Sequence, residues 1–348
     1  MTWEAGPQAE DWDKLIAQLK DANSVLLVAH VSPDGDALGS ALAVGLALRQ
    51  LGISAVVSFD DGQLAVPASL SWMPGLELLV AVEDVPPELD VAVSFDASSI
   101  ERLGRLGPIC KSAKALFAAV DHHRSYTGYA ELSLVDVTAP ATAVLALEFV
   151  DRLGAELTTD IATCVYTGLT TDTGSFKFAG TTAGTHRIAA RLHEADIKHD
   201  VIARAVFDDQ PFAALQLLGL AVAHATLYPQ EVNGLGLVAT WISRADRHAL
   251  GLALDAAEPI INSIRSTTEA EVAVVLKEGD DGIWRVSTRS KGAVDMGAVC
   301  SALGGGGHRF AAGFTSNMSI DDTLAALIAE IDAIGSLAVG TPAPASGA

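Results

Sequence analysis

Cysteine is scarce in this chain: Cys110, Cys164 and Cys300 lie far apart and form no Cys-x-x-Cys pair. That spacing argues against a disulfide framework or a zinc finger and fits a reducing compartment. Basic residues are short too, with 22 Lys and Arg against 43 Asp and Glu and a formal net charge of −21. Binding to long nucleic acid rests on Lys and Arg neutralising many phosphates, so the overall field repels such a polyanion. A short nucleotide held by local Arg and metal charge stays compatible with it. Apolar runs such as Val25 to Ala29 and Ala41 to Leu48 are too short to span a bilayer. Met1 to Asp21 carries several acidic residues and lacks a basic, apolar, small-residue leader pattern. The expectation is a soluble, cytoplasmic protein with no membrane partner.

Half of the 348 residues are apolar and 19% are charged, which suffices for two hydrophobic cores. From Ser24 to about Gly180, short apolar runs alternate with helical stretches. Val25 to Ala29 reads as a buried strand, Ala37 to Leu51 as a helix ended by Gly52, and Ile53 to Phe59 as the next strand. Val91 to Phe95 and Ala115 to Val120 read as two more buried strands. A helix over Ala141 to Leu153 precedes the stretch Thr159 to Thr170, continuing the alternation. The prediction is an α/β fold with an N-terminal parallel sheet flanked by helices. After a helical stretch from Pro211 to His224 the pattern turns strand-rich over Ala225 to Trp241 and Glu271 to Arg289. The hairpin signal Glu278-Gly279-Asp280-Asp281-Gly282 predicts a smaller C-terminal α/β domain with a mixed sheet. The predicted divisions are 1–200 for the first domain, 201–224 for a helical linker, 225–335 for the second domain and 336–348 for a disordered tail.

Carboxylates and imidazoles gather where the first-domain strands end. His30, Asp34 and Asp36 directly follow Val25 to Ala29, and ligands of open α/β sheets bind beyond the carboxyl ends of strands. Imidazole with two carboxylates suits Mn2+, Fe2+, Co2+ or Zn2+ better than Ca2+. A turn leading into a helix N-cap accounts for Pro33 to Asp36 equally well. Asp96 closes the strand Val91 to Phe95, and taken alone it reads better as an N-cap. Asp121-His122-His123 follows Ala115 to Val120, and two adjacent histidines beside a carboxylate are hard to reconcile with core packing. Asp172, in Thr170-Thr171-Asp172-Thr173-Gly174-Ser175-Phe176, follows a fourth apolar stretch.

Four strand ends of one parallel sheet open onto the same edge, so these Asp and His residues can converge. Two carboxylates about 4 Å apart repel by about 4 kcal/mol at an effective dielectric of about 20, and two divalent cations cancel four such charges. Metal pairs about 3.5–4 Å apart clamp the attacking and leaving oxygens of an in-line displacement. The joint pattern points to a paired metal centre of His30, Asp34, Asp36, Asp96, His122 and Asp172.

In this order, His-x-x-x-Asp-x-Asp, a strand-end Asp, Asp-His-His and Thr-Asp-Thr-Gly-Ser-Phe resemble the signature set of the DHH phosphoesterase superfamily. Gly304-Gly305-Gly306-Gly307-His308, with Ala311-Ala312-Gly313 close behind, resembles the glycine-rich motif of the DHH-associated C-terminal domain. The resemblance covers roughly residues 12–333, and size and layout are similar to the bacterial nanoRNase/pAp phosphatase group, some of whose members act on cyclic di-AMP. It implies an active site in the interdomain cleft, with one metal on His30, Asp34 and Asp96. A second would sit on Asp36, Asp96, His122 and Asp172, with Mn2+ favoured for both. It further implies His123 as a phosphate contact, Asp121 as the residue that orients a neighbouring histidine, and a homodimer. Arg289 and His308 would face the cleft, with Arg265 a weaker candidate.

Glycine N–H groups can form an anion-binding nest. Taken alone, Gly305, Gly306 and Gly307 read better as a flexible turn; Arg289 and His308 nearby shift them toward a phosphate or base clamp. Tyr126 departs from the Ser/Thr-Asn step that usually follows the histidine pair in the family, which bears on substrate fit. The remaining histidines read as surface residues and the cysteines as core packing. The implied reaction is hydrolysis of short oligoribonucleotides and dinucleotides (pApA, cyclic di-AMP) to mononucleotides, and of pAp to AMP. The alternatives are an inorganic pyrophosphatase or other small-phosphoester hydrolase of the same superfamily, or a catalytically silent nucleotide-binding regulator.

Overall fold

Strands buried on both faces read as largely apolar runs, and the central strands of the first unit are of this kind. The computed structural model describes residues 6–338, and the chain divides into two units, Met1–Asp209 and Gln210–Ala348. In the first unit β1 (Val25–Ala29), β2 (Ala55–Ser58), β3 (Val91–Phe95), β4 (Leu116–Asp121) and β5 (Leu132–Val135) form a wholly parallel sheet in the order β2-β1-β3-β4-β5. Around it lie helices α1 (Ala9–Lys20), α2 (Gly35–Gln50), α3 (Leu106–Lys111), α4 (Thr142–Leu153), α5 (Thr159–Asp172), α6 (Ala183–Glu194) and α7 (His199–Ala203). Val25, Leu27, Val91, Val93 and Phe95 share a core with α1, α2, α4 and α5. Leu26, Val28, Ala92 and Phe117 face the other way, toward Leu106 and Cys110 of α3. The predicted parallel sheet with helices on both faces is therefore present, and all three cysteines are buried and free.

One stretch differs from the sequence reading. Thr159 to Thr170, placed in a strand–helix alternation, is helix α5. Thr158 caps it by accepting from the Ile161 amide, and Ile161, Val165 and Leu169 repeat at helical spacing along its buried side. Helix α2 is buried from Gly35 to Leu48, because it lies beneath other helices as well as against the sheet. A Cβ at Gly39 would stand 2.5 Å from the Cys164 carbonyl oxygen, so the bare glycine sets how closely α2 and α5 approach. Fully buried leucines such as Leu38 and Leu42 each stabilise the packing by roughly 1.5–3 kcal/mol.

The second unit holds β6 (Thr226–Tyr228), β7 (Leu237–Ile242), β8 (Val272–Glu278), β9 (Trp284–Ser290), β10 (Gly306–His308) and β11 (Ala311–Ser316) in the order β10-β11-β9-β8-β7-β6. Only the β7–β8 pairing is parallel, so the sheet is mixed, as predicted. Its helices are α8 (Phe212–His224), α9 (Arg244–Ala249), α10 (Ile260–Ile264), α11 (Met296–Ala302) and α12 (Ile320–Ala338). Leu237, Val274, Val286 and Phe314 pack with α11 and α12, while Val238, Ala273 and Val275 pack with α8 and α10. Helix α8, inside the stretch read as a linker, contributes Leu217 and Ala221 to that second core. Residues 336–338, read as the start of a disordered tail, continue α12; residues 339–348 lie outside the described residues. No helix among the described residues is long and apolar enough to cross a membrane.

The α2–α5 approach yields a stability prediction. Gly39→Ala forces overpacking against main chain and should destabilise the protein by about 1–3 kcal/mol. Calorimetry of the metal-free protein should record the fall in Tm, and an unchanged Tm would show that the helices yield without cost.

Candidate metal centre

The strand order β2-β1-β3-β4-β5 reverses between β1 and β3, and in open α/β sheets the crevice beyond such a switch point receives the ligand. His30 follows β1, and its Nε2 lies 3.8 Å from Asp34 Oδ2 and 3.8 Å from Asp96 Oδ2. His122 follows β4. Its Nε2 lies 3.3 Å from Asp172 Oδ2, 3.5 Å from Asp96 Oδ1 and 3.7 Å from Asp36 Oδ2. All six residues thus come together as two groups that share Asp96, one carboxylate oxygen turned toward each imidazole.

Local structure explains how each carboxylate is held. Asp34 caps α2: its Oδ1 accepts from the amides of Asp36 and Ala37 at 3.0 and 3.1 Å, which leaves Oδ2 for the His30 side. The N-cap and the ligand-like arrangement coexist in one side chain. Asp36 is fully buried and accepts from the first amides of α4, Thr142 at 2.7 Å and Ala143 at 2.8 Å. Gly168 of α5 packs onto it so tightly that a Cβ there would lie 2.9 Å from Asp36 Oδ1. Asp96 is not the N-cap that its sequence context favours. It takes a left-handed φ of 58°, which Asp tolerates better than most residues, and its Oδ1 accepts from the Thr142 hydroxyl at 2.8 Å. Asp172 is the last residue of α5, so the fourth acid comes from a helix C-terminus rather than a strand end.

Beside these, Asp121 Oδ1 accepts from the amides of His122 (2.7 Å) and His123 (3.0 Å) and pairs with His123 Nδ1 at 2.7 Å. Burial opposes charge on both partners, yet the pairing pushes His123 above the usual imidazole range and holds Asp121 below the usual carboxylate range. Tyr126, flagged for its position after the histidines, is a core residue whose hydroxyl pairs with Ser133 at 2.8 Å.

The donor set fits divalent cations. His122 Nδ1 lies 3.0 Å from the Ala139 carbonyl; a neutral ring donating there presents its Nε2 lone pair to three carboxylates. Imidazole nitrogen with carboxylate oxygen is a donor mixture suited to first-row divalent ions. Without a cation, protons relieve the crowding. Burial works against a charged His122, but Asp172, Asp96 and Asp36 push its pKa up to about 10. Burial, aided by Asp96 and Asp172, raises Asp36 well above the carboxylate range. Burial also lifts Asp172 to about 7, with His122 pulling against Asp96 and Asp34.

Sequence reasoning missed Arg102. It sits on the 3-10 turn Ile100–Leu103, and its Nη2 lies 2.9 Å from His30 Nδ1. A single arginine in a loop has no spacing to betray it.

The remaining predicted residues belong to the second unit. His308 on β10 and Arg289 on β9 both face Ala311 of β11 across the ladder. Directly opposed residues point to one face, and two strand spacings put them about 10 Å apart, with only the small Ala311 between. Of the glycine run, Gly306 and Gly307 lie in the edge strand β10, while Gly304 is part of the turn before it. A Cβ at Gly305 would meet the Gly313 oxygen at 2.1 Å and one at Gly307 the Ala311 oxygen at 2.6 Å. Those two glycines are demanded by strand packing, whereas Gly306 has open space at its Cβ position. Arg265 is the half-buried C-cap of α10.

Comparison with known proteins places this arrangement. Residues 24–169 match the DHH family, N-terminal domain, and residues 238–334 match the DHHA1 domain. The chain is 31% identical over 315 residues to the bifunctional oligoribonuclease and PAP phosphatase NrnA of Thermus thermophilus, covering 89% of this chain and 90% of that protein. The chain belongs to the DHH family. It is thereby a phosphoester hydrolase. Another DHH relative, the Bacillus subtilis protein of the same description, is 24% identical over 303 residues, covering 86% of this chain and 91% of that one. An exopolyphosphatase-related protein from Bacteroides fragilis shares the fold, with a TM-score of 0.83 at 22% identity over 95% of this chain and 98% of that one.

Metal removal from the DHH site should show in the pH dependence of stability. His122 titrates at about 6.5 when unfolded, so its contribution is complete below that pH and is lost as pH rises through about 10. Asp172, raised to about 7 from about 3.9 unfolded, stabilises the fold as pH falls from 7 toward its unfolded value. Both effects have the same sign, so the Tm of EDTA-treated protein should fall steadily between pH 6.5 and 10. Saturating divalent metal should flatten that slope; an apoprotein Tm that is level or rising over this range contradicts the assignment.

Proposed function

We propose that this DHH phosphoesterase hydrolyses short oligoribonucleotides and dinucleotides such as pApA to mononucleotides, and pAp to AMP, at a pair of divalent cations, Mn2+ favoured. The observation that carries the paired centre is the division of Asp96 between the His30 and His122 groups. In this reading His30, Asp34 and Asp96 hold one cation, and Asp36, Asp96, His122 and Asp172 hold the other. Bound there, the cations supply Lewis acidity for an in-line displacement at phosphorus.

The chain's own residues position and protonate. His123, with Nδ1 anchored on Asp121, can as an imidazolium offer its Nε2 proton to a phosphoryl or leaving oxygen. Arg289, His308 and the Gly305–Gly307 amides bind the rest of the nucleotide, with Arg265 as an auxiliary cation. The oligoribonuclease and PAP phosphatase descriptions of the Thermus and Bacillus relatives support the substrate class. Cyclic di-AMP is supported as a further substrate by the likeness to the B. subtilis cyclic-di-AMP phosphodiesterase GdpP, 22% identical over 326 residues, which spans 90% of this chain and 48% of that protein. A homodimer, on the resemblance of the sequence to its family, and a cytoplasmic location, on the scattered free cysteines, complete the reading.

A substrate panel of pApA, cyclic di-AMP, pAp, pyrophosphate and longer RNA with Mn2+, ranked by kcat/KM, tests it. Short nucleotides should lead; pyrophosphate in the lead, or nucleotide binding without product, refutes the reading. Residues behind metal ligands typically cost about 10–100-fold when lost, so Asp172→Ala should lower kcat by more than about 100-fold while the protein stays folded. Arg289→Ala should raise KM for pApA about tenfold or more with little change in kcat, and an unchanged KM removes Arg289 from the nucleotide-binding set.

A further inference from the structure

We propose that Arg102 is a substrate-binding residue of the metal centre, its guanidinium gripping the oxygens of the phosphoryl group that enters there; this rests on the phosphoesterase reading above. The turn Ile100–Leu103 is tied to the ligand-bearing loop, because the Arg102 carbonyl accepts from the Val31 amide at 2.8 Å. The residue is exposed, yet its Nη2 stands 2.9 Å from His30 Nδ1. It is thus an anchored cation at the solvent side of the His30 group.

The contact with His30 cannot be its working contact. A guanidinium has donors only, so it bonds Nδ1 only when that nitrogen carries a lone pair. The Val31 carbonyl, also 2.9 Å from Nδ1, accepts only from a protonated Nδ1. The ring can satisfy one of them at a time. A neutral His30 that offers Nε2 to a cation carries its hydrogen on Nδ1, the bond to Val31 then stands, and Arg102 loses its acceptor on the ring. Its N–H groups are left beside the centre, where two oxygens of a phosphoryl group match the planar fork.

Charge points the same way. Two divalent cations neutralise Asp34, Asp36, Asp96 and Asp172, and Arg102 then leaves one positive charge in excess at the centre. In a chain with a net charge of −21, such a local surplus favours approach of an anionic phosphate. An arginine kept only to steady Asp34 and His30 would act on metal affinity and leave phosphate recognition alone.

Calorimetric titration separates the two roles. Mn2+-loaded wild type, Arg102→Met and Arg102→Lys are titrated with AMP and with adenosine, and each metal-free protein with Mn2+. AMP affinity should fall about 10- to 100-fold in Arg102→Met, with partial recovery in Arg102→Lys, which keeps the charge and loses the fork. Adenosine binding should not change, and Mn2+ affinity should not fall. Unchanged AMP affinity, or a loss of Mn2+ affinity large enough to explain the weaker AMP binding, overturns the proposal. Should Arg102→Met fail to fold, Arg102→Lys carries the same test: wild-type AMP affinity in it overturns the fork. If wild type with Mn2+ binds AMP no better than adenosine, the functional reading itself fails, and that is seen before any variant is compared.

Discussion

Repulsion among carboxylates sheltered from water governs the first unit. Asp36 and Asp96 are almost wholly removed from solvent, with Asp34 and Asp172 drawn up beside them. The fold meets that cost in layers. Helix N-termini carry partial positive charge on their unpaired amides, and those of α2 and α4 are spent on Asp34 and Asp36. Thr142 gives its hydroxyl to Asp96, and His122 stands among three acids. What these donors leave uncompensated is the charge that divalent cations are suited to cancel. The arrangement of helices around the sheet's switch point therefore follows from the electrostatics of the centre as much as from apolar packing.

Much of this was readable in the sequence, for definite reasons. Val25 to Ala29 and Val91 to Phe95 announce themselves because burial on both faces leaves them free of charged residues, with Ser94 the single polar side chain. The acids at their ends stand out against such runs. Helix α1 is legible too, since Trp12, Leu15, Ile16 and Leu19 recur at helical spacing. Strand β5 is only four residues long and too short to show a period. Thr170-Thr171-Asp172 mimics a strand end because β-branched residues favour strands; packing of α5 against α2 overrides that preference.

Other residues resist reading because one letter serves two purposes. Asp34 is both helix cap and part of the His30 group, so weighing one role against the other posed a choice the molecule does not make. Gly305 and Gly307 are fixed by close approach of neighbouring main chain, while Gly306 is free of that constraint. A run of identical letters hides that difference, which exists only once strand register is known. Arg102 is the opposite case: its significance lies wholly in the fold of a turn.

The two amides that hold Asp36 have unequal evolutionary latitude. At position 143 the donor is main chain, so sequence drift there is limited only by bulk, and any small residue other than proline keeps the bond. At position 142 the amide serves Asp36 while the side chain serves Asp96, so any change other than to serine that keeps the support of Asp36 strips that of Asp96. Adjacent residues on the same turn of α4 should therefore diverge at different rates, one as packing filler and the other as a joint between two acids.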